Sequence, residues 1–132
     1  MTYFLDTDIC VDALRDRLPG IKRKLKMLEP RQVKIPSMVQ AELLFGALRI
    51  ADPVKREEVN KFLSPFDIVP FGPEAALAYA KIRHDMQVKG TPIGPADLII
   101  AATATAHHAT LVTHNTKEFS RISGLLIEDW TE

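Results

Sequence analysis

The sequence predicts an α/β protein in which a parallel sheet of about five strands lies between layers of helices. Three observations predict it. Short apolar runs such as Tyr3-Phe4-Leu5 and Thr110-Leu111-Val112-Thr113 alternate with longer stretches of helical spacing. The first run ends abruptly in Asp6-Thr7-Asp8 and the later one in His114-Asn115, as buried strands feeding a ligand crevice do. The stretch from Ala96 to His107 is nearly all small or apolar, which suits a helix lying close against a sheet.

The chain of 132 residues suits one domain and one core, spanning residues 1–132. Its 17 basic and 17 acidic residues balance, and 46% of residues are hydrophobic, which excludes a disordered chain. No run is long enough to span a membrane, and Met1-Thr2-Tyr3 lacks the basic start of a signal peptide. The lone Cys10 cannot form an internal disulfide, so a reducing, cytoplasmic setting is expected, with Cys10 as buried helix filling.

Taken in order, the first strand feeds a helix capped by Thr7 or Asp8, with Ile9, Ala13 and Leu14 inward. Pro19-Gly20 breaks it. A second helix carries Ile21, Leu25 and Leu28 on one face and stops at Pro30. Gln32-Val33-Lys34-Ile35 alternates like a strand. Ser37 with Gln40 three residues on reads as a capping box, opening a helix from about Met38 to Ile50. Val39, Leu43, Gly46 and Ile50 share its face, and Glu42 lies roughly 60° from the centre of it. Asp52-Pro53 opens another helix, with Val54, Phe62 and Leu63 inward. Phe66 to Pro70 is a third strand. Gly72-Pro73 opens a long helix to about Lys89, striped by Ala76, Tyr79, Ile82 or Arg83, and Met86. Pro95 fits the first position of the small-residue helix, which places Asp97 in its first turn. Thr110–Thr113 and Leu125–Ile127 complete the sheet. Trp130 reads as a C-terminal packing anchor.

Four segments then bring polar groups to one sheet edge: Asp6 after the first strand, Glu42 and Asp97 on helices, and Thr113 with Asn115 after the fourth strand. Three carboxylates converging there repel one another and raise at least one pKa. A hard divalent cation removes that conflict, and all-oxygen ligands suit Mg²⁺ or Mn²⁺. Such an ion activates water against a phosphodiester without a protein nucleophile. Each residue also has a plain structural reading. Asp6 and Asp8 serve as helix caps, Asp97 as a first-turn dipole residue, Glu42 as half of an ion pair, and Asn115 as a turn residue. Only their combination points to chemistry. The adjacent His107 and His108 face different ways and lack the spacing of a zinc site; His84 reads as a surface residue.

Zero net charge hides an asymmetry. Residues 15–34 carry eight Lys or Arg against Asp16 and Glu29, whereas Glu118, Glu128, Asp129 and Glu132 make the C-terminus acidic. Arg15, Arg17, Lys22, Arg23, Lys24 and Lys26 form a patch suited to a polyanion, with a solvated helix face as the plainer reading.

These pieces, in this order and spacing, resemble the PIN-domain ribonucleases of the VapC toxin type. The resemblance rests on Phe4-Leu5-Asp6-Thr7-Asp8-Ile9, Ala41-Glu42-Leu43 with Gly46, and Gly94-Pro95-Ala96-Asp97 with Ile100-Ala101-Ala102. Leu111-Val112-Thr113-His114-Asn115, Glu118-Phe119 and Glu128-Asp129-Trp130 extend it to the end of the chain. It implies a PIN-like three-layer α/β/α fold and Mg²⁺- or Mn²⁺-dependent cleavage of RNA, often tRNA. It also implies a homodimer inhibited by a cognate antitoxin whose peptide lies across the active-site groove. By motif, Asp6, Glu42 and Asp97 become metal ligands. Asn115 stands where many relatives have an acid, so it orients water or phosphate, or Glu118 supplies the missing charge. Asp8 stands where relatives often carry Asn.

Two rival readings come from other classes. Asp6-Thr7-Asp8 resembles the start of haloacid-dehalogenase-like phosphatases, in which the first Asp is a nucleophile, but the nineteen residues after Thr113 leave too little chain for that family's later Lys and acidic pair. The other rival is a non-catalytic binding protein, in which the acids only cap helices and the basic patch docks a partner.

Overall fold

Strand β1 (Tyr3–Leu5) occupies the centre of a five-stranded parallel sheet of order β3-β2-β1-β4-β5. The computed structural model describes residues 1–131; Glu132 lies outside them. The chain runs β1, α1 (Thr7–Leu14), α2 (Pro19–Met27), β2 (Val33–Pro36), α3 (Ser37–Ile50) and α4 (Pro53–Leu63). It continues with β3 (Asp67–Val69), α5 (Pro73–Lys89), α6 (Pro95–Ala106), β4 (Thr110–Val112), α7 (Thr116–Phe119) and β5 (Leu126–Glu128).

The strand order reverses direction between β1 and β4. The chain first steps outward through β2 to β3, then returns past β1 to β4 and β5. Right-handed crossovers therefore put α1 to α4 on one face and α5 and α6 on the other. Neighbouring side chains of β1 mark the two faces. Phe4 lies 5.7 Å from the ring of His107, which caps α6, whereas Tyr3 lies 5.3 Å from the buried Trp130 ring. Lys24 of α2 covers that Trp130 ring at 5.9 Å.

The core gathers Phe4, Leu5, Ile9, Val33, Ile35, Val39, Leu111 and Val112 from sheet and helices. Helix α6 is buried along most of its length, through Leu98, Ile100, Ala101, Ala102, Thr103 and Ala104. Its alanines keep the helix close to the strands, as the composition of this stretch implies. Cys10 and Trp130 are both buried, as expected of them.

The structure corrects several local expectations. Pro19 opens α2 instead of ending a helix, and α2 stops at Met27, before Pro30. Ser37 is not a cap. Helix α3 leaves β2 directly, with Pro36 at φ −60° in the cap position, so Ser37 is already helical and its hydroxyl caps nothing. On α3 the buried face is Val39, Leu43 and Ala47, and Ile50 in the last turn is 54% exposed. Val54 is likewise exposed, because α4 turns Val59 and Leu63 inward. On α5 the inward residues are Ala75, Ile82 and Met86, so Ala76 lies outside the stripe. The short helix α7 has no periodicity long enough to be read from sequence.

The close seat of α6 is testable. Ala101 is 0% exposed, so Ala101→Leu is expected to overpack the helix against the sheet and destabilise the fold by about 1–3 kcal/mol. Urea unfolding measures this, and a variant as stable as wild type would show that α6 has room to spare.

Candidate active site

The carboxyl ends of β1 and β4 meet where the strand order reverses, the place where open α/β sheets bind ligands. Parallel pairing brings Leu5 opposite Val112, and the Asp6 N–H extends the ladder to the Val112 carbonyl at 3.1 Å. Asp6 thus emerges beside Thr113.

Asp6 is 4% exposed and is the true N-cap of α1. Its Oδ1 accepts the Ile9 N–H at 3.0 Å, and its Oδ2 accepts the Thr113 hydroxyl. Thr7 and Asp8, expected as caps, already lie inside the first turn. Burial raises the Asp6 carboxyl from 3.8 to about 6. The two hydrogen bonds oppose that shift, and the like charges of Asp8 and Asp97 add to it.

Thr113 is fully buried and joins two halves of the site. It donates to Asp6 and accepts the Asn115 N–H at 3.0 Å. The Asn115 side-chain amide in turn donates to Glu118 Oε2 at 2.6 Å. Asn115 therefore orients Glu118, and a continuous chain of hydrogen bonds runs from Asp6 to Glu118.

Glu42 projects from α3 towards α1, where its Oε1 accepts the hydroxyl of Thr7. Sequence reasoning missed this role of Thr7; the only signal was a hydroxyl placed directly after an acid. Asp97 sits half-buried in the first turn of α6. Its pKa is raised by desolvation first, then by the charges of Glu118, Glu42 and Asp8.

Asp6, Asp8, Glu42, Asp97 and Glu118 thus share one crevice. Among the described residues, none of them belongs to an ion pair with Lys or Arg. Nor is any group of three His, Cys, Asp or Glu side chains disposed to hold a metal ion as they stand. Both oxygens of Asp6 and one of Glu42 are turned into hydrogen bonds instead. The donor set is nevertheless all oxygen, anionic and uncompensated, the chemistry that hard divalent cations favour.

A groove of about 900 Å³ leaves this crevice from Thr7 and Glu42 and runs between α1, α2, α3 and α4. Its floor is apolar, and Arg15, Lys22, Arg49, Lys55 and Lys61 line it. Of the basic residues singled out in sequence, only Arg15 and Lys22 reach it. Arg17 faces Asp12 at 3.9 Å, Lys24 lies over Trp130, and Arg23 and Lys26 are exposed on α2 outside the groove lining.

Comparison with known proteins agrees with this fold. Residues 3–125 match the family model of the PIN domain. The chain is 38% identical to Ribonuclease VapC2 of Rickettsia felis, covering 98% of both proteins. It is 32% identical to the tRNA(fMet)-specific endonuclease VapC of Salmonella typhimurium, again over 98% of each. Among solved structures, VapBC2 of Rickettsia felis bound to a promoter DNA fragment superposes with a TM-score of 0.91 at 36% identity, covering 98% of this chain and 99% of that one. DNA-bound VapBC of Salmonella typhimurium superposes with a TM-score of 0.93 at 31% identity, over 98% of each chain.

The raised Asp6 pKa fixes the sign of a pH effect. The folded state holds the Asp6 proton up to about pH 6, whereas an unfolded Asp releases it near 3.8. Stability tied to this proton is complete below 3.8 and is lost as pH rises through 6, a change on the order of 3 kcal/mol. Asp97 shifts in the same direction. In EDTA, Asp6→Asn is therefore expected to melt higher than wild type at pH 7.5 and to lose much of the slope between pH 4 and 6. Asn preserves the helix cap. Parallel melting curves for the two proteins would contradict the buried, uncompensated carboxylate.

Proposed function

The chain belongs to the PIN domain family, and on that premise we propose that it is an endoribonuclease of the VapC type, the toxin of a toxin–antitoxin pair. The observation that carries this reading is the crevice itself: five carboxylates at the strand-order reversal, without a basic partner among the described residues. Uncompensated acids at the ligand-binding edge of a sheet are unfavourable for a purely structural protein and useful to one that handles a cation.

Asp6, Glu42 and Asp97 would hold Mg²⁺ or Mn²⁺, with Asp8 and Glu118 supplying charge around them. When bound, such an ion would supply Lewis-acid polarisation of a phosphoryl oxygen and activation of water for attack on the phosphodiester. The protein's own groups prepare that step. Thr113 fixes the Asp6 carboxylate and Thr7 fixes Glu42, so neither acid swings away from the crevice. Asn115 holds Glu118 at its edge. Neutralisation by a cation would also release the repulsion that raises Asp6 and Asp97.

The relatives named as tRNA(fMet)-specific endonucleases support a tRNA substrate, and the VapBC complexes among the similar structures support inhibition by a cognate antitoxin. A homodimer, which the family likeness implies, has apolar surface available in Phe45 and Leu48 of α3, 65% and 58% exposed. A cytoplasmic setting accords with the free, buried Cys10; no helix among the described residues is long and apolar enough to cross a membrane. The phosphatase reading of Asp6 fares worse, because both of its oxygens are engaged and its carboxyl is buried.

Purified protein is expected to cleave total cellular RNA in Mg²⁺ or Mn²⁺ and to stop in EDTA. Asp6→Asn and Asp97→Asn are each expected to lower cleavage at least about 100-fold, with unchanged circular dichroism and weakened Mn²⁺ binding by calorimetry. RNA left intact by wild type, or cleavage that survives EDTA, would overturn the proposal. Hydrolysis of aryl phosphates with a trapped aspartyl-phosphate would favour the phosphatase.

A further inference from the structure

The turn between β4 and α7 carries Asn115 and Glu118 to the crevice, yet its own structure is slight. Helix α7 has only four residues, too few to stand without support from outside the segment. Asn115 precedes it at φ −86° and ψ 60°, outside both the helical and the strand regions. Two fasteners act from within. The Thr113 hydroxyl oxygen accepts the Asn115 N–H, and Phe119 at the end of α7 is buried. A third acts from outside. Between the two site residues Thr113 and Asn115 stands His114, its side chain 67% exposed. Its Nδ1 lies 3.3 Å from the Thr131 hydroxyl and 3.6 Å from Asp129 Oδ2, its only polar side-chain partners among the described residues.

Those partners belong to a fixed segment. Strand β5 pairs with β4, and the Glu128 carbonyl accepts the Thr113 N–H at 3.0 Å. Trp130 is buried against Tyr3 and donates its Nε1–H to the Glu128 carboxylate at 3.0 Å. Asp129 Oδ1 accepts both the backbone N–H and the hydroxyl of Thr131. Burial opposes the charge on Asp129, but the Thr131 bonds and the His114 ring outweigh it and hold the carboxyl below its ordinary value. An ionised carboxylate only accepts, so the one Thr131 hydroxyl hydrogen goes to Asp129, and towards His114 the same oxygen accepts. Nδ1 of His114 therefore carries a hydrogen. We infer that His114 and Asp129 are positioning residues: their clasp through Thr131 pins the β4–α7 turn to the C-terminal segment and keeps Asn115 bonded to Glu118 at the crevice. The consequence for cleavage rests on the nuclease reading above; the clasp itself does not. A ring that touched RNA would use Nε2 instead, which has no partner among the described residues.

The side-chain amide of Asn115 reports on the clasp without substrate or metal. Its NMR signals are recorded in EDTA, with Glu118→Ala as the reference for a lost contact between Asn115 and Glu118. His114→Ala and Asp129→Ala are each expected to move these signals towards that reference. His114→Asn places an amide nitrogen where Nδ1 stood and should keep the wild-type signals; His114→Gln reproduces the reach of Nε2 and should not. In cleavage of unfractionated tRNA, the two alanine variants are expected to lose about fivefold to tenfold in kcat, the scale of one lost hydrogen bond, with KM unchanged within about twofold. His114→Asn should recover most of that kcat. The inference is overturned by unmoved Asn115 signals in the alanine variants, by His114→Gln serving as well as His114→Asn, or by a loss confined to KM, which would mark a direct contact with RNA. If wild type cleaves nothing, the nuclease reading fails, and the Asn115 signals alone decide the clasp.

Discussion

The parallel pairing of β1 with β4 is the contact on which the rest depends. It joins residues more than a hundred positions apart and sets Leu5 opposite Val112. One residue further along each strand, Asp6 and Thr113 share a hydrogen bond. A shift of one residue in this register would turn Asp6 to the other face of the sheet and part it from Thr113. Because β1 and β4 are neighbours only through the reversal of strand order, the crevice and the topology are one feature.

That contact also creates an electrostatic tension. Burial beside the core pushes Asp6 up to about 6, and Asp97 rises for the same reason with help from Glu118, Glu42 and Asp8. The fold does not relieve this with basic side chains. It holds the acids in place with hydroxyl and amide donors from Thr113, Thr7 and Asn115, which orient the carboxylates without neutralising them. An Arg in their place would neutralise the crevice and compete with any cation for it. The arrangement is stable because the surrounding layers are rigid: α6, lined with small residues, sits close against the strands and fixes Asp97 at its first turn.

Charge is partitioned on a larger scale as well. The acids lie at the sheet edge, and the groove cations lie on α1 to α4, which right-handed crossovers gather on one face. Sequence position concealed this. The basic run of residues 15–34 drew attention, yet Arg17 and Lys24 are engaged elsewhere, while Arg49 and Lys61, on later helices, complete the groove.

The sequence by itself determined the alternation of strands and helices and the parallel sheet, and it singled out acids that the tertiary structure gathers at one edge. Apolar runs bounded by acid, Pro and Gly are local signals: Asp6, Thr113 and Asn115 follow such runs and Asp97 follows Pro95, whereas Glu42 lies within α3 and was marked only by its place beside the apolar stripe. Asp52 and Gly72-Pro73 opened their helices as read, for the same reason. Inward faces were less legible. Val54 and Ile50 are apolar yet exposed, because helix ends extend past the core and only packing decides which face is covered. The capping box at Ser37 failed because β2 runs straight into α3 and leaves Pro36 in the cap position. Only the tertiary structure decided that Asp6 both caps α1 and faces Thr113, that Thr7 reaches Glu42 across two helices, and that cations from four elements line one groove. Such relations depend on distances between segments far apart in the chain, and those distances exist only once the sheet has closed β1 against β4.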